Sequence, residues 1–217
     1  MIVTVDGPSG SGKGTLSRKI ADYYNLAFLD TGLLYRAVAE EALGLGLPID
    51  NVSAIIRVAQ NLHDVSLEKE KLRSDEVAVM ASKVAVIPEV RQALLEFQRQ
   101  YAYKSHQGRN GVVLDGRDTG TVICPDADFK VYLTSAVEVR AQRRQKELQN
   151  LGIKSIYSEV LSDMIARDKR DSEREISPLR PAIDAHIIDT SEKTSDEVFL
   201  MVRQIIDSGP HHFTSSI

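Results

Sequence analysis

Residues 2–24 read "IVTVDGPSGSGKGTLSRKIADYY", and this stretch decides the fold. Ile2 to Val5 is a run of β-branched residues that breaks at Asp6-Gly7, the pattern of a short buried strand. Leu16, Ile20 and Tyr23 follow at spacings of four and three, the pattern of a helix. Between strand and helix lies "GPSGSGKGT": Gly7, Pro8, Ser9, Gly10, Ser11, Gly12, Lys13, Gly14 and Thr15. Gly7 and Gly12-Lys13 satisfy G-x-x-x-x-G-K, the phosphate-binding loop, whose backbone N–H groups wrap phosphates while the lysine reaches the β and γ groups. A helix opening directly behind the loop adds its positive dipole end. The general motif has Ser or Thr after the lysine; here Gly14 stands there and Thr15 comes one place later. The usual hydroxyl-to-magnesium contact is therefore left unassigned, and no side chain is named as a metal ligand.

Outward from this stretch, strand-like and helix-like segments alternate. Leu26 to Leu29 stops at "DTG" (30–32) and leads into "LLYRAVAEEAL" (33–43), which has helical periodicity. Helix-like segments cover Ser53 to Leu62 and Asp75 to Val86, and Pro88 is placed to start a longer one reaching about Tyr103. "GVVLDG" (111–116), "FKVYL" (129–133) and "AHIIDTS" (185–191) read as strands. Thr194 and Glu197 stand in capping-box spacing before "VFLMVRQII" (198–206). The alternation predicts an α/β, three-layer fold with a mostly parallel sheet covered on both faces. The last ten residues, "SGPHHFTSSI" (208–217), lack periodicity and read as a flexible tail.

Composition narrows the function. The 217 residues are 42% hydrophobic and 27% charged, as in an ordinary globular chain. No apolar run has the ~20 residues of a membrane span, and the start lacks a signal-peptide pattern, so the expected compartment is the cytoplasm. Cys124 is the single cysteine and cannot form an internal disulfide. A net charge of −4 argues against nucleic-acid binding by bulk charge, so any anion is gripped locally. There is no N-K-x-D to read guanine, which argues against a switch GTPase, and the aromatic-poor chain without tryptophan argues against a nucleic-acid ATPase. A kinase for a small acceptor remains, beside a non-catalytic ATP-binding module.

Two further strand ends carry polar groups. "LDTGLLYR" (29–36) sets Asp30 and Thr31 at a strand end with Tyr35 and Arg36 on the next helix, and "LDGRDTG" (114–120) sets Asp115, Arg117 and Asp118 at another. Ligands of open α/β sheets bind at the carboxyl ends of the strands, so these groups converge on the phosphate loop. In "IARDKRDSER" (165–174), Arg167, Arg170 and Arg174 recur at spacings that share one face if the segment is helical.

"GPSGSGKGT", "LDTGLLYR", "PEVRQAL" (88–94), "LDGRDTGTVICPDA" (114–127) and "RDKRDSEREISPL" (167–179) together resemble the bacterial cytidylate kinase family, in order from Ile2 to about Ile206. The resemblance implies one nucleoside monophosphate kinase domain over 1–207, with a helical monophosphate-binding insertion about 32–108 and a lid about 145–170. It implies a monomer that takes nucleotides as partners, not nucleic acid or membranes, and transfers phosphoryl from ATP, with Mg2+, to CMP or dCMP. By similarity, residues 7–15 bind ATP, and Lys13, Arg117, Arg167 and Arg174 carry the transfer. Thr31, Tyr35, Arg36, Ser82, Arg91, Arg117, Asp118, Arg167, Asp171 and Arg174 bind the acceptor. Within that set Asp118 and Arg91 read the base and Asp171 and Ser82 lie near the sugar; outside it, Asp115 at its strand end is expected to hold the magnesium's water shell. An alternative role for Asp118 is to hold Arg117. Arg140, Arg143, Arg144 and Lys146 open the lid, half of them as plain surface charge. One departure concerns "HDVSLEKEKLRS" (63–74), short and charged where many members carry a strand-rich insert; a surface turn is expected.

Overall fold

The computed structural model describes residues 1–62 and 70–209. Residues 63–69 of the expected charged turn, and 210–217 of the expected tail, lie outside the described residues. The remainder of that turn, Glu70–Arg73, forms a single 3-10 turn that buries Leu72.

Five strands, β1 (Ile2–Asp6), β2 (Ala27–Asp30), β3 (Val112–Gly116), β4 (Phe129–Thr134) and β5 (His186–Asp189), form a parallel sheet in the order β2-β3-β1-β4-β5. β1 is central, so the chain leaves it to build first one side of the sheet and later the other. The register sets Asp6 beside Gly116 and Tyr132, and Asp30 beside Asp115. The polar residues picked out at strand ends thus lie along one edge, at the reversal point where open α/β sheets bind ligands.

Helices α1 (Lys13–Tyr24) and α8 (Ser195–Asp207) cover one face, where Val3, Val5, Leu16, Ile20, Val131, Leu133 and Val202 make a core. The opposite face buries Leu29, Val112, Leu114, Ile123 and Cys124, the cysteine serving as a small hydrophobe. Four helices, α2 (Thr31–Gly44), α3 (Val52–Gln60), α4 (Asp75–Val84) and α5 (Pro88–Tyr103), have a core of their own around Val38, Ile55, Val84 and Val90, all fully buried. Each such aliphatic side chain contributes about 1.5–3 kcal/mol on leaving water, so this all-helical unit holds its shape beside the sheet. Helices α6 (Val137–Asn150) and α7 (Tyr157–Glu173) form a pair between β4 and β5. No helix among the described residues is long and apolar enough to cross a membrane.

The two helices flanking the sheet begin differently. Thr194 caps α8 in a full capping box: its Oγ1 accepts from the Glu197 N–H at 3.3 Å and the Glu197 carboxylate accepts from the Thr194 N–H at 2.7 Å. α1 has Gly12 at its start, in the left-handed region at φ 92°, with no side-chain cap and no acidic residue in the first turn. Its N-terminal N–H groups are left for something else.

Candidate active site

The glycine-rich loop is shaped by what holds its carbonyls. Pro8 O accepts from Lys13 Nζ at 2.8 Å and Ser11 Oγ at 3.0 Å, Ser9 O from Arg140 at 3.2 Å, and Ser11 O from the Thr190 hydroxyl at 3.0 Å. With these carbonyls turned outward to donors, the loop N–H groups other than that of Ser11, which reaches Pro8 O at 3.5 Å, are left for an anion, next to the uncapped start of α1. Gly7 is obligatory: it sits at φ 148°, and a Cβ there would lie 2.2 Å from Leu133 O. The Lys13 side chain, expected at the phosphates, is folded onto its own loop. Burial and the neighbouring Arg117 and Arg167 hold its ammonium well below the usual lysine range. An arriving polyphosphate reverses that balance.

Beside the loop a second cavity is lined by Thr31, Tyr35, Arg36, Ser82, Arg91, Arg117, Asp118, Arg167, Asp171 and Arg174. All ten acceptor-site residues read from the sequence meet there, from α2, α4, α5, the end of β3, α7 and the extended residue after it. Arg117 Nε donates to Asp171 at 2.9 Å, and Arg36 donates to Leu72 O at 2.7 Å. Arg91 forms a buried ion pair with Asp118, whose other oxygen lies 3.8 Å from Arg174. Thr31 Oγ1 donates to Asp115 O at 2.8 Å, and Ser82 Oγ accepts from Arg170 Nε at 3.2 Å.

The cations outnumber their partners. Burial and the nearby Arg117 push Arg167 down to about 10, and its Nε has no hydrogen-bond partner; one Arg174 nitrogen is likewise unpartnered. Buried donors without acceptors are costly, and oxyanions are the groups that relieve them. Asp115, behind the loop, is pushed well above the usual carboxylate range by burial, with Lys13 opposing the shift. Its Oδ2 lies 3.4 Å from where a Cβ on Gly14 would stand.

Several expectations need correction. Asp118 is not the holder of Arg117: Asp171 is, and Asp118 pairs with Arg91. Arg174 does not share a helical face with Arg167 and Arg170, because α7 ends at Glu173 and Arg174 is extended. It nevertheless reaches the same cavity. Of the residues read as half surface charge, Arg140 is buried and bonds Ser135 O, Ser9 O and Asp168; Arg143 bonds Thr190; and Arg144 pairs with Asp75 at the start of α4. Only Lys146 is exposed.

Sequence reasoning missed other groups. Asp6, at the end of β1, accepts from Thr119 N and Oγ1 and from Gly120 N at 2.8–2.9 Å, fixing the turn that carries Arg117 and Asp118; burial pushes its carboxyl up to about 6. Its place at a strand end was the available signal. A third cavity, lined by Gly12, Thr15, Leu16, Arg143, Thr190 and Lys193 among others, adjoins the phosphate loop on the β5 side. Thr190 and Lys193 also follow a strand end.

Comparison with known proteins agrees with this geometry. A sequence model of the family described as "Cytidylate kinase" matches residues 3–208. The chain is 48% identical over 205 residues to a cytidylate kinase of Mesorhizobium japonicum, covering 94% of this chain and 93% of that protein. It is 48% identical over 207 residues to one of Paramagnetospirillum magneticum, covering 95% and 98%. Among solved structures, an uncharacterised protein of Eubacterium ventriosum aligns with a TM-score of 0.57 at 16% identity, over 96% of this chain and 98% of that one, a likeness of fold alone. On the matched span and these identities, the chain belongs to the cytidylate kinase family.

Proposed function

We propose that this chain transfers the γ-phosphoryl group of ATP to CMP or dCMP, giving ADP and CDP or dCDP. One observation carries the reading: the cavity in which Arg36, Arg117, Arg167 and Arg174 converge beside the loop of Lys13. An acceptor phosphate, with a second pKa near ~6, is already largely dianionic at neutral pH and attacks phosphorus without a general base. The protein's task is to align two anions and offset their charge. Arg36 and Arg167 bind the acceptor phosphate, Arg117 and Arg174 span it and the transferring group, and Lys13 leaves Pro8 O to follow the γ-phosphoryl. Residues 7–15 wrap the donor's phosphates, and its base and sugar enter the cavity of Thr15, Arg143 and Lys193.

The described residues hold no cluster of three or more metal-ligating side chains. Magnesium keeps most of its waters and takes phosphate oxygens with one or two protein groups. Asp115 and the Thr15 hydroxyl are the groups we assign to its shell, where the ion would screen the phosphate charges. We take 1–207 as one domain, with residues 32–108 as the acceptor region and 145–170 as a lid that excludes water on closing. We take the working unit to be a monomer. Nucleotide substrates make the cytoplasm its compartment.

Base choice falls to Asp118 and Arg91. Cytosine offers an amino donor beside acceptors at N3 and O2, so a carboxylate accepts from the amine and a guanidinium donates to the ring. Uracil instead turns O4 toward the carboxylate. An ADP-release assay across CMP, dCMP, UMP, AMP and shikimate tests the proposal: CMP and dCMP should turn over far faster than the others. Turnover led by AMP or shikimate would assign a different acceptor, and no acceptor-dependent turnover would reduce the chain to a binding module.

A further inference from the structure

Gly10 of the phosphate loop is wedged between two helices: a Cβ there would lie 3.1 Å from Met164 Cε on α7 and 3.2 Å from Arg140 Cβ on α6. Arg140 is at the centre of this contact, its side chain 5% exposed and each of its three nitrogens in use. Nε donates to Ser135 O at 2.9 Å after β4, one terminal nitrogen to Ser9 O at 3.2 Å in the loop, and the other to Asp168 Oδ2 at 2.6 Å on α7. A trans peptide unit is planar, so Ser9 O and the Gly10 N–H point in opposite directions. By holding the carbonyl, Arg140 aims an N–H of the phosphate loop. As a stabiliser the Arg140–Asp168 pair is a poor choice: Asp168 Oδ1 is buried with no hydrogen-bond partner, and two apolar side chains would pack here without taking charges out of water. What the pair supplies is a fixed geometry between loop and helix.

On α7, Met164, Arg167, Asp168 and Asp171 recur at spacings that share one stripe of the helix. Met164 and Asp168 meet Gly10 and Arg140, while Arg167 and Asp171 line the acceptor cavity, where Asp171 accepts from Arg117 Nε at 2.9 Å. Arg167 and Asp168 are consecutive on one hydrogen-bonded helix, so a shift at either carries the other. We propose that Arg140 and Asp168 are positioning residues that couple the two substrates. Donor phosphates settle the loop, Arg140 passes that arrangement through Asp168 to α7, and α7 presents Arg167 and the Arg117 held by Asp171 to the acceptor. Whichever substrate binds first meets the cost of ordering this shared element, so the second binds more tightly, and the effect is reciprocal. This rests on the acceptor reading above. Neither Arg140 nor Asp168 touches a substrate in this account.

Calorimetry with CMP, in the absence and presence of magnesium and the β,γ-imido analogue of ATP, reads the coupling without any phosphoryl transfer. In wild type the analogue should lower the Kd for CMP about 10-fold, an ordinary size for coupling between sites. Asp168→Asn keeps the shape and removes the charge; Arg140→Lys keeps the charge and loses the fork that reaches three acceptors. Each should cut the coupling factor below about 3-fold, and the double variant should cut it no further, since both changes break one link. Backbone amides of α7 should exchange more slowly with the analogue bound in wild type, but not in Asp168→Asn. A wild type without coupling, a factor unchanged in either single variant, losses that add in the double variant, or α7 exchange indifferent to the analogue would each overturn the proposal. So would a common loss of CMP and analogue affinity with the factor intact, which would make the pair a packing contact. If Arg140→Lys does not fold, Asp168→Asn at the more exposed partner carries the test with hydrogen exchange. Wild-type binding and turnover of CMP are measured first: their absence sinks the acceptor reading, whereas CMP binding indifferent to the donor sinks the coupling alone.

Discussion

Asp118→Asn keeps the shape of the side chain and removes its charge, and the structure sets what that costs. The Arg91 and Asp118 side chains are 7% and 6% exposed, and Arg174 stands 3.8 Å from the second carboxylate oxygen. The variant leaves two guanidinium groups facing one neutral amide. Breaking a fully buried pair costs about 3–5 kcal/mol. Here the nearby Asp171 carboxylate still opposes both arginines, and the site opens on a cavity, so a loss of about 2 kcal/mol is expected by that same scale. The selectivity effect is separate. An amide can turn an N–H toward O4 of uracil, so the ratio of kcat/KM for CMP over UMP should fall by at least ~10-fold, about 1.4 kcal/mol. Because Arg117 is held by Asp171, kcat with saturating CMP should fall far less than the ratio does. ADP release with each acceptor at several concentrations gives kcat and the ratio, and urea unfolding gives the stability loss. A common loss for CMP and UMP would refute base reading by Asp118 and leave it a scaffold for Arg91 and Arg174.

Three further outcomes are expected. Lys13→Ala should lower kcat by on the order of 10² or more, since one charge-stabilising group is lost from the transferring phosphoryl; near-normal kcat in single-turnover assays would remove Lys13 from the chemistry. Arg36→Lys should raise the acceptor KM while the KM for ATP changes little, because a planar fork becomes a point charge; a rise confined to ATP would put Arg36 on the other substrate. Asp6 has a folded-state pKa of about 6 against 3.8 for the free group. The native fold binds this proton more tightly than the unfolded chain, so its contribution is fully present below pH 3.8 and is lost as pH rises through 6. At ~1.4 kcal/mol per pH unit, wild type should lose up to about 3 kcal/mol relative to Asp6→Asn between those limits. Parallel stability curves for the two proteins would mean that Asp6 does not titrate there.

Much of this was legible in the chain because local rules and tertiary demands agree. The β-branched runs at 2–5 and 112–113 are strands with both faces covered, and Thr194 with Glu197 makes the capping box its spacing announced. The phosphate loop could be read because close backbone approach tolerates only glycine at Gly7. The rest depends on who meets whom across the fold. Asp171 lies 54 residues from Arg117, and Asp6 lies 113 from Thr119, so periodicity carries no sign of either bond. The turn Thr119–Ile123 winds as a π-helix, its carbonyls at Val122 and Ile123 bonded by Arg99 from α5, which no local propensity requires.

The account rests on phosphoryl transfer to the cytosine nucleotide itself, and this can be followed directly with ATP labelled at the γ-phosphorus. Incubated with magnesium and CMP, the protein should move the label into the β-phosphate of CDP, in step with ADP formation and with little inorganic phosphate. Label recovered as inorganic phosphate, or left in ATP while CMP is unchanged, would contradict it.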